Sequence, residues 1–223
     1  MALTMLATTL FACKPSVDQR AAEYLAKYDD NFTFVEQKEF SGGYTFTFSS
    51  EKYPGKTVTV RYEGNFDTEG QNPFCDNYPT IMFEKECYET GKRVADAAFP
   101  GENLEYVVGT TGLYRHYDKN TTFDGFYSIE GLYFGIVLHK QVNDAVMDED
   151  LAKIEAVLKT ESDKIINDYA PLYAKILYYA DDAEVLPDQS AASFENLKDY
   201  DGVLYVQYYK GKDACEVKEK TIK

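Results

Sequence analysis

The stretch Tyr44-Thr45-Phe46-Thr47-Phe48, followed after Tyr53-Pro54-Gly55-Lys56 by Thr57-Val58-Thr59-Val60-Arg61-Tyr62, decides the fold of the first half of the chain. Tyr44, Phe46 and Phe48 share a face opposite Thr45 and Thr47. Val58, Val60 and Tyr62 do the same opposite Thr57, Thr59 and Arg61. A side-chain period of two with a Pro-Gly turn between the runs predicts an antiparallel meander with one buried face. Working upstream, Ser41-Gly42-Gly43 reads as a turn, and Phe32 and Phe34 begin a further strand. Before them, Ser16 and Gln19 have the spacing of a capping box. Val17, Ala21, Leu25 and Tyr28 then line one face of a helix that stops at Asp29-Asp30-Asn31. Downstream, a polar loop runs from Glu63 to about Asn77, and Pro79 suits the first turn of a second helix. Phe83, Cys87, Val94, Ala95 and Ala98 line one side of that helix, and Pro100-Gly101 stops it. Gly91 in its middle is expected to weaken it by up to about 1 kcal/mol relative to Ala. Leu104, Tyr106 and Val108 form another strand. A helix, a meander and a helix make an α+β unit over residues 14–109.

The second half follows another rule. Residues 110–130 are rich in Gly, Thr and Asp and are expected to link two units. Leu132-Tyr-Phe-Gly-Ile-Val-Leu138 is apolar on both faces, as an interior strand would be. A long helix follows, capped at Asp148 or a neighbour, with Leu151, Ile154, Leu158, Ile165 and Tyr169 at helical spacing. Pro171 ends it, and Leu172 to Tyr179 is a strand. Strand, long helix, strand is the pattern of a right-handed βαβ crossover, so residues 131–223 form a second α/β unit. An acidic loop from Asp181 to Lys198 includes one helical turn, Val203 to Tyr209 is a strand, and the Lys-rich tail adds a short edge.

Composition limits the partners. The 223 residues carry 38 acids against 23 bases, a net charge of −15, so neither nucleic acid nor anionic lipid is an expected electrostatic partner. Twenty Tyr and fourteen Phe without a single Trp favour sheet. No run after residue 13 approaches the roughly 18 apolar residues that span a bilayer.

Any attachment to a membrane therefore falls to the N-terminus, where Leu10-Phe11-Ala12-Cys13 closes an apolar run. Leu10, Ala12 and Cys13 resemble a bacterial lipoprotein lipobox, with residues 1–13 as the leader. The resemblance implies thioether attachment of a diacylglyceryl group to Cys13 and an extracytoplasmic chain anchored to the cell membrane. Tyr24-Leu25-Ala26-Lys27-Tyr28 with Phe32, and later Asp76-Asn77-Tyr78, resemble uncharacterised lipoproteins of Gram-positive bacteria. That likeness implies a location more than an activity.

Candidate chemistry is sparse. His116 and His139 have no nucleophile motif beside them and read as surface or structural residues. Zinc, P-loop and dinucleotide signatures are missing, so no cofactor and no catalytic residue is assigned. Asn65, Asp67 and Glu69, with Gly70 sixth and Asp76 twelfth, echo a calcium loop, although a solvated acidic loop is the simpler reading. Cys75, Cys87 and Cys215 allow one disulfide; Cys75–Cys87 would close a short loop worth about 3 kcal/mol, while a buried thiol at Cys87 is equally natural. Asp148, Glu149 and Asp150 suit a helix start. The strand tyrosines Tyr133, Tyr178, Tyr179, Tyr205, Tyr208 and Tyr209 offer an aromatic platform for a protein, peptide or glycan, set against the plainer reading of core and cross-strand pairs. The expected function is a cell-surface binding module. The alternative is an extracytoplasmic hydrolase that uses carboxylates of the acidic loops.

Overall fold

The structure is a computed structural model that describes residues 15–223 apart from Glu69, Thr111, Tyr169 and Gln189. The leader, Cys13, Glu69 and the apolar position at Tyr169 thus lie outside the described residues. The chain is α+β and divides into two units, the first ending at Asp76 and the second running Asn77–Lys223.

The first unit follows from the meander. α1 (Val17–Leu25) starts where Ser16 holds an extended backbone and its N–H donates to Gln19 Oε1 at 3.0 Å. The strands β1 (Phe32–Phe40), β2 (Gly43–Ser50), β3 (Thr57–Glu63) and β4 (Phe74–Asp76) then pair antiparallel in sequence order. Phe46 faces Val60 and Phe48 faces Val58 across the β2–β3 ladder, and all four side chains are buried. Ala21, Leu25 and Tyr28 of α1 are buried as well. The segment expected to be a polar loop instead holds α2 (Gly64–Thr68) and β4. Three residues are too short for a period-two signal, and β4 ends in an acid, a type depleted from strands. Asp76 is tolerated there because Tyr24 Oη (2.7 Å), Tyr28 Oη (3.0 Å) and Lys27 Nζ (2.9 Å) all reach its carboxylate.

In the second unit, the helix expected from Pro79 to Ala98 is two helices, α3 (Tyr78–Met82) and α4 (Glu84–Ala98). Phe83 breaks them, with φ −107° and ψ 15°, and packs its ring 5.4 Å from Phe126. β5 (Leu104–Gly109) belongs to this unit and not to the meander, because it pairs antiparallel with β6 (Tyr133–His139) from Leu104↔Leu138 to Gly109↔Tyr133. The boundary accordingly falls at Asp76 rather than near residue 109.

Residues 110–130, expected to be a linker, build core. Tyr114, Tyr117 and Phe126 are buried, with ring centroids 5.2–5.5 Å apart, and Phe126 sits in α5 (Phe123–Glu130). Aromatics carried by a Gly- and Thr-rich stretch escape a reading based on composition. α6 (Asp144–Ser162) crosses over between β6 and β7 (Leu172–Tyr179), which pair parallel as the βαβ pattern requires. Its cap is Asn143, whose Oδ1 accepts from Val146 N at 3.0 Å, rather than Asp148. α7 (Ala191–Glu195), β8 (Gly202–Tyr209) and β9 (Ala214–Ile222) follow, giving the sheet order β5-β6-β7-β8-β9. The edge strand β9 is nine residues long and alternates Lys and Glu on an exposed surface, which discourages edge-to-edge pairing.

One face of this sheet, with Phe134, Ile136, Leu172, Ile176, Leu204 and Val206, is buried in a core that includes Val94 and Ala95 of α4, Phe126 of α5 and Ile154 and Leu158 of α6. Asp150 of α6 is buried and receives Tyr178 Oη at 3.1 Å and Lys140 Nζ at 2.9 Å, so it ties the helix to β7 instead of capping it. Glu161 near the end of α6 is also buried. It accepts the forked guanidinium of Arg93 from α4, Lys164 Nζ and Tyr127 Oη from α5. Burial pushes the Glu161 carboxyl up, but the hydrogen bonds from Arg93 and Lys164 outweigh it and hold the carboxyl below its ordinary value.

Two outcomes test this packing. Gly91 is buried against β5, and a Cβ there would stand 1.9 Å from Val108 Cγ2. Gly91→Ala is therefore expected to destabilise the protein by about 1–3 kcal/mol in denaturant titration, against the gain that helix propensity alone predicts. Because the folded-state carboxyl of Glu161 lies below 4.5, its stabilisation is complete above that pH and is lost as pH falls through the lower value. Glu161→Gln should cost about 2 kcal/mol at neutral pH, since the half-exposed Arg93 and Lys164 return to water, and should flatten the acid limb of the stability profile.

Candidate functional site

The opposite face of the second sheet is unevenly covered. Val107, Val137, Leu177 and Val203 are buried beneath Leu186 and Phe194 from the segment that contains α7. Toward the start of β6 and β7 that cover runs out. There Tyr133, Tyr173, Lys175 and Tyr205 are only half-buried.

Register brings them together. Tyr133 of β6 lies beside Tyr173 of β7, and Lys175 lies beside Tyr205 of β8. The alternation that buries Leu172, Ala174 and Ile176 on one side necessarily places Tyr173 and Lys175 on the other. The Tyr173 and Tyr205 rings are 6.3 Å apart and only 27° from parallel. With Gly109, Thr110, Ala191 and Glu195 they line a groove of about 390 Å³. A second recess of about 500 Å³ shares Gly109, Thr110 and Ala191 and extends to Thr80, Lys85 and Tyr88. Both volumes are in the range of small-ligand sites. At the shared wall, a Cβ on Gly109 would stand 3.2 Å from Ala191 Cβ and 3.6 Å from Tyr133 Cδ1. Glycine permits this close approach.

Glu195 supplies the polar centre. Its Oε1 accepts from Tyr133 Oη at 2.6 Å and its Oε2 from Lys175 Nζ at 2.8 Å. Burial pushes the Glu195 carboxyl up, while the hydrogen bonds from Lys175 and Tyr133 overcome this and hold it below its ordinary value. The Tyr133 phenol is pushed up, first by burial and then by Glu195. At neutral pH the groove therefore presents a carboxylate and un-ionised phenols.

The other expected residues go elsewhere. Tyr178 and Tyr208 are core, their hydroxyls donating to Asp150 (3.1 Å) and Asp213 (2.8 Å). Tyr179 is buried with its Oη donating to Lys198 O at 2.6 Å, and Tyr209 accepts from Gln207. Of the tyrosines in the expected platform, Tyr133 and Tyr205 reach the groove. Tyr173, Lys175 and Glu195 were the residues missed. The period-two alternation of Leu172–Ile176 already placed the first two on one face, but nothing in sequence brought Glu195 to them.

His116 is exposed. His139 is buried, with Nε2 2.8 Å from Glu105 Oε1 and Nδ1 2.6 Å from the Asp181 carbonyl oxygen, which Nδ1–H must donate to. Glu105 also accepts the Val185 and Leu186 N–H groups at 2.9 Å, so the pair pins the acidic segment, and Glu105 lines a recess of about 390 Å³ with Glu184 and Asp188.

In the calcium-like stretch, Asn65 and Asp67 lie in α2, and the Asp67 carboxylate accepts both guanidinium nitrogens of Arg20 (2.9 and 3.1 Å) and Tyr62 Oη (3.1 Å). Asp76 is held separately by Tyr24, Tyr28 and Lys27. Among the described residues no group of three or more His, Cys, Asp and Glu is placed to hold a metal ion. Cys75, Cys87 and Cys215 carry thiols rather than a disulfide. Burial, reinforced by Glu86 and Glu84, pushes Cys87 up to about 12, and burial with Glu155 does the same for Cys215, so neither is a thiolate at neutral pH.

Compared with known protein families, curated proteins and solved structures, the chain matches none.

The Glu195–Lys175 contact makes a directional prediction. In a carboxyl-carbon NMR titration, Glu195 should titrate below 4.5 in the wild type and move upward in Lys175→Met. No movement would mean that Lys175 does not hold the carboxylate in solution.

Proposed function

We propose that the chain is an extracytoplasmic lipoprotein, anchored to the cell membrane through lipid on Cys13, whose second unit binds a ligand in the tyrosine groove. The observation that carries the binding half is the uneven cover on one sheet face. A sheet face that is apolar and covered over most of its area ends in three half-buried phenols around an ion pair. Aromatic rings beside a few convergent polar groups are the usual make-up of a recognition site.

The anchoring half rests on Leu10, Ala12 and Cys13. It is compatible with the described residues, among which no helix is long and apolar enough to cross a membrane. Two acyl chains on Cys13 would hold the protein stably, at about 0.8 kcal/mol per buried CH₂.

Binding is preferred to hydrolysis on the state of the carboxylates. Asp181, Asp182 and Glu184 are exposed, and Asp188 is held below its ordinary value by hydrogen bonds from Ser190 and Ser193. Glu195, the acid inside the groove, is held down as well. A general acid needs the opposite displacement.

One experiment reads both halves. Cells producing the full chain are labelled with a palmitate analogue, and retention of envelope material by the protein is compared with that of Tyr173→Ala/Tyr205→Ala. The label should disappear in Cys13→Ser, and retention should fall in the double variant while labelling persists. Label that survives Cys13→Ser overturns the anchor; retention unchanged by losing both rings overturns the groove.

A further inference from the structure

We propose that the ligand of the tyrosine groove is a neutral pyranose oligosaccharide with mostly equatorial hydroxyls; this rests on the groove being the binding site. The argument is one of matched donors, acceptors and apolar faces.

Strand addition by a peptide is closed off at these residues. β6 pairs with β5 and β7, β7 with β6 and β8, and β8 with β7 and β9, so the strands that carry Tyr133, Tyr173 and Tyr205 offer no free edge. A proline-rich peptide is a better rival, because such segments dock on aromatic-lined grooves. It falls short at the polar centre. Prolines bring carbonyl acceptors and no N–H, so a run of them offers no backbone donor to Glu195 as its exposed side is stripped of water, and such a peptide is the poorer match.

A sugar answers both halves of the ion pair. Each carboxylate oxygen of Glu195 accepts one protein donor and keeps a further lone pair, and Lys175 Nζ has donors beyond the one given to Glu195. A vicinal diol can donate to the carboxylate through one hydroxyl and accept from the ammonium through its neighbour. Equatorial hydroxyls leave the axial C–H bonds as a flat apolar surface, which suits the nearly parallel rings of Tyr173 and Tyr205.

Charge points to a neutral ligand. Glu195 and Lys175 already answer each other at 2.8 Å, so the groove holds no unmatched charge of its own for an ionic ligand to pair with. The chain's net charge of −15 opposes a polyanion.

The ligand is longer than one ring. The groove adjoins, at Gly109, Thr110 and Ala191, the recess lined by Thr80, Glu84, Lys85 and Ser190, which adds hydroxyl, carboxylate and ammonium groups suited to a second sugar.

The test is calorimetric titration of the full chain with cellotetraose and chitotetraose, beside a proline-rich peptide and hyaluronan. At least one neutral tetrasaccharide should bind. Its affinity should fall by about tenfold or more in Tyr205→Ala and in Tyr173→Ala, and stay within about threefold of wild type in Tyr205→Phe, which keeps the ring. Glu195→Gln, nearly the same shape with the charge removed, should also weaken it. Thermal melts confirm that each variant is folded; if the alanine variants unfold, the contrast between Tyr205→Phe and Glu195→Gln decides. No binding of either tetrasaccharide, or binding that ignores these substitutions, overturns the proposal. Ring-dependent binding of the peptide or hyaluronan alone overturns the saccharide but leaves the groove as the site. Envelope retention and saccharide binding that are both indifferent to Tyr173 and Tyr205 overturn the two readings together.

Discussion

A tyrosine hydroxyl donating to a carboxylate is the interaction on which both units depend. Tyr24 and Tyr28 meet Asp76 in the first unit; Tyr178 meets Asp150 and Tyr127 meets Glu161 in the second. All three acids are buried. An ionised carboxylate taken from water without partners costs several kcal/mol, so each position is tolerable only with its full set of donors. In every case the set combines phenols with a basic side chain: Lys27 at Asp76, Lys140 at Asp150, Arg93 and Lys164 at Glu161. The rings pack as apolar bodies while their hydroxyls serve the charge, a division of labour that Phe does not reproduce.

These pairs also fix direction. Asp150 joins α6 to β7, and Glu161 joins α6 to α4 and α5. Apolar burial alone would tolerate some sliding of α6 along the sheet, because dispersion and water exclusion are non-directional. Charge-assisted hydrogen bonds about 3 Å long at two acids about three turns apart on a nineteen-residue helix would not. The helix-covered face of the second sheet is thereby held in one register.

Much of this was legible in sequence and some was not, for identifiable reasons. The meander could be read because Phe46, Phe48, Val58 and Val60 keep strict alternation, and the βαβ unit because Leu132–Leu138 and Leu172–Tyr179 flank a long helical pattern. β4 was hidden because three residues carry no period, and its Asp76 is explained only by Tyr24, Tyr28 and Lys27, which lie about fifty positions away in sequence. Residues 110–130 looked like a linker by composition, yet Tyr114, Tyr117 and Phe126 form a ring cluster that composition cannot express. Gly91 looked like a helix weakness, and its cause is close approach to Val108. For the groove, Tyr133 and Tyr205 were among the platform candidates, and Tyr173 shared their alternation. Glu195 reaches them only through the return of the 181–201 segment across the sheet, a tertiary event with no local signature.

The groove departs from the pattern that builds the rest of the molecule, and this is why it reads as functional. At Asp76, Asp150 and Glu161 the carboxylate is sealed from water and its donors are committed to holding elements together. At Glu195 the same chemistry recurs, a tyrosine and a lysine on one carboxylate, but the acid's side chain is 50% exposed and the neighbouring rings are half-open. Stability gains little from such a pair, because water screens it. Its geometry is nonetheless as close as that of the buried pairs, with contacts of 2.6 and 2.8 Å. An ordered ion pair that contributes little to folding, set among rings the sheet could have covered, is better explained by what it can hold than by what it holds together.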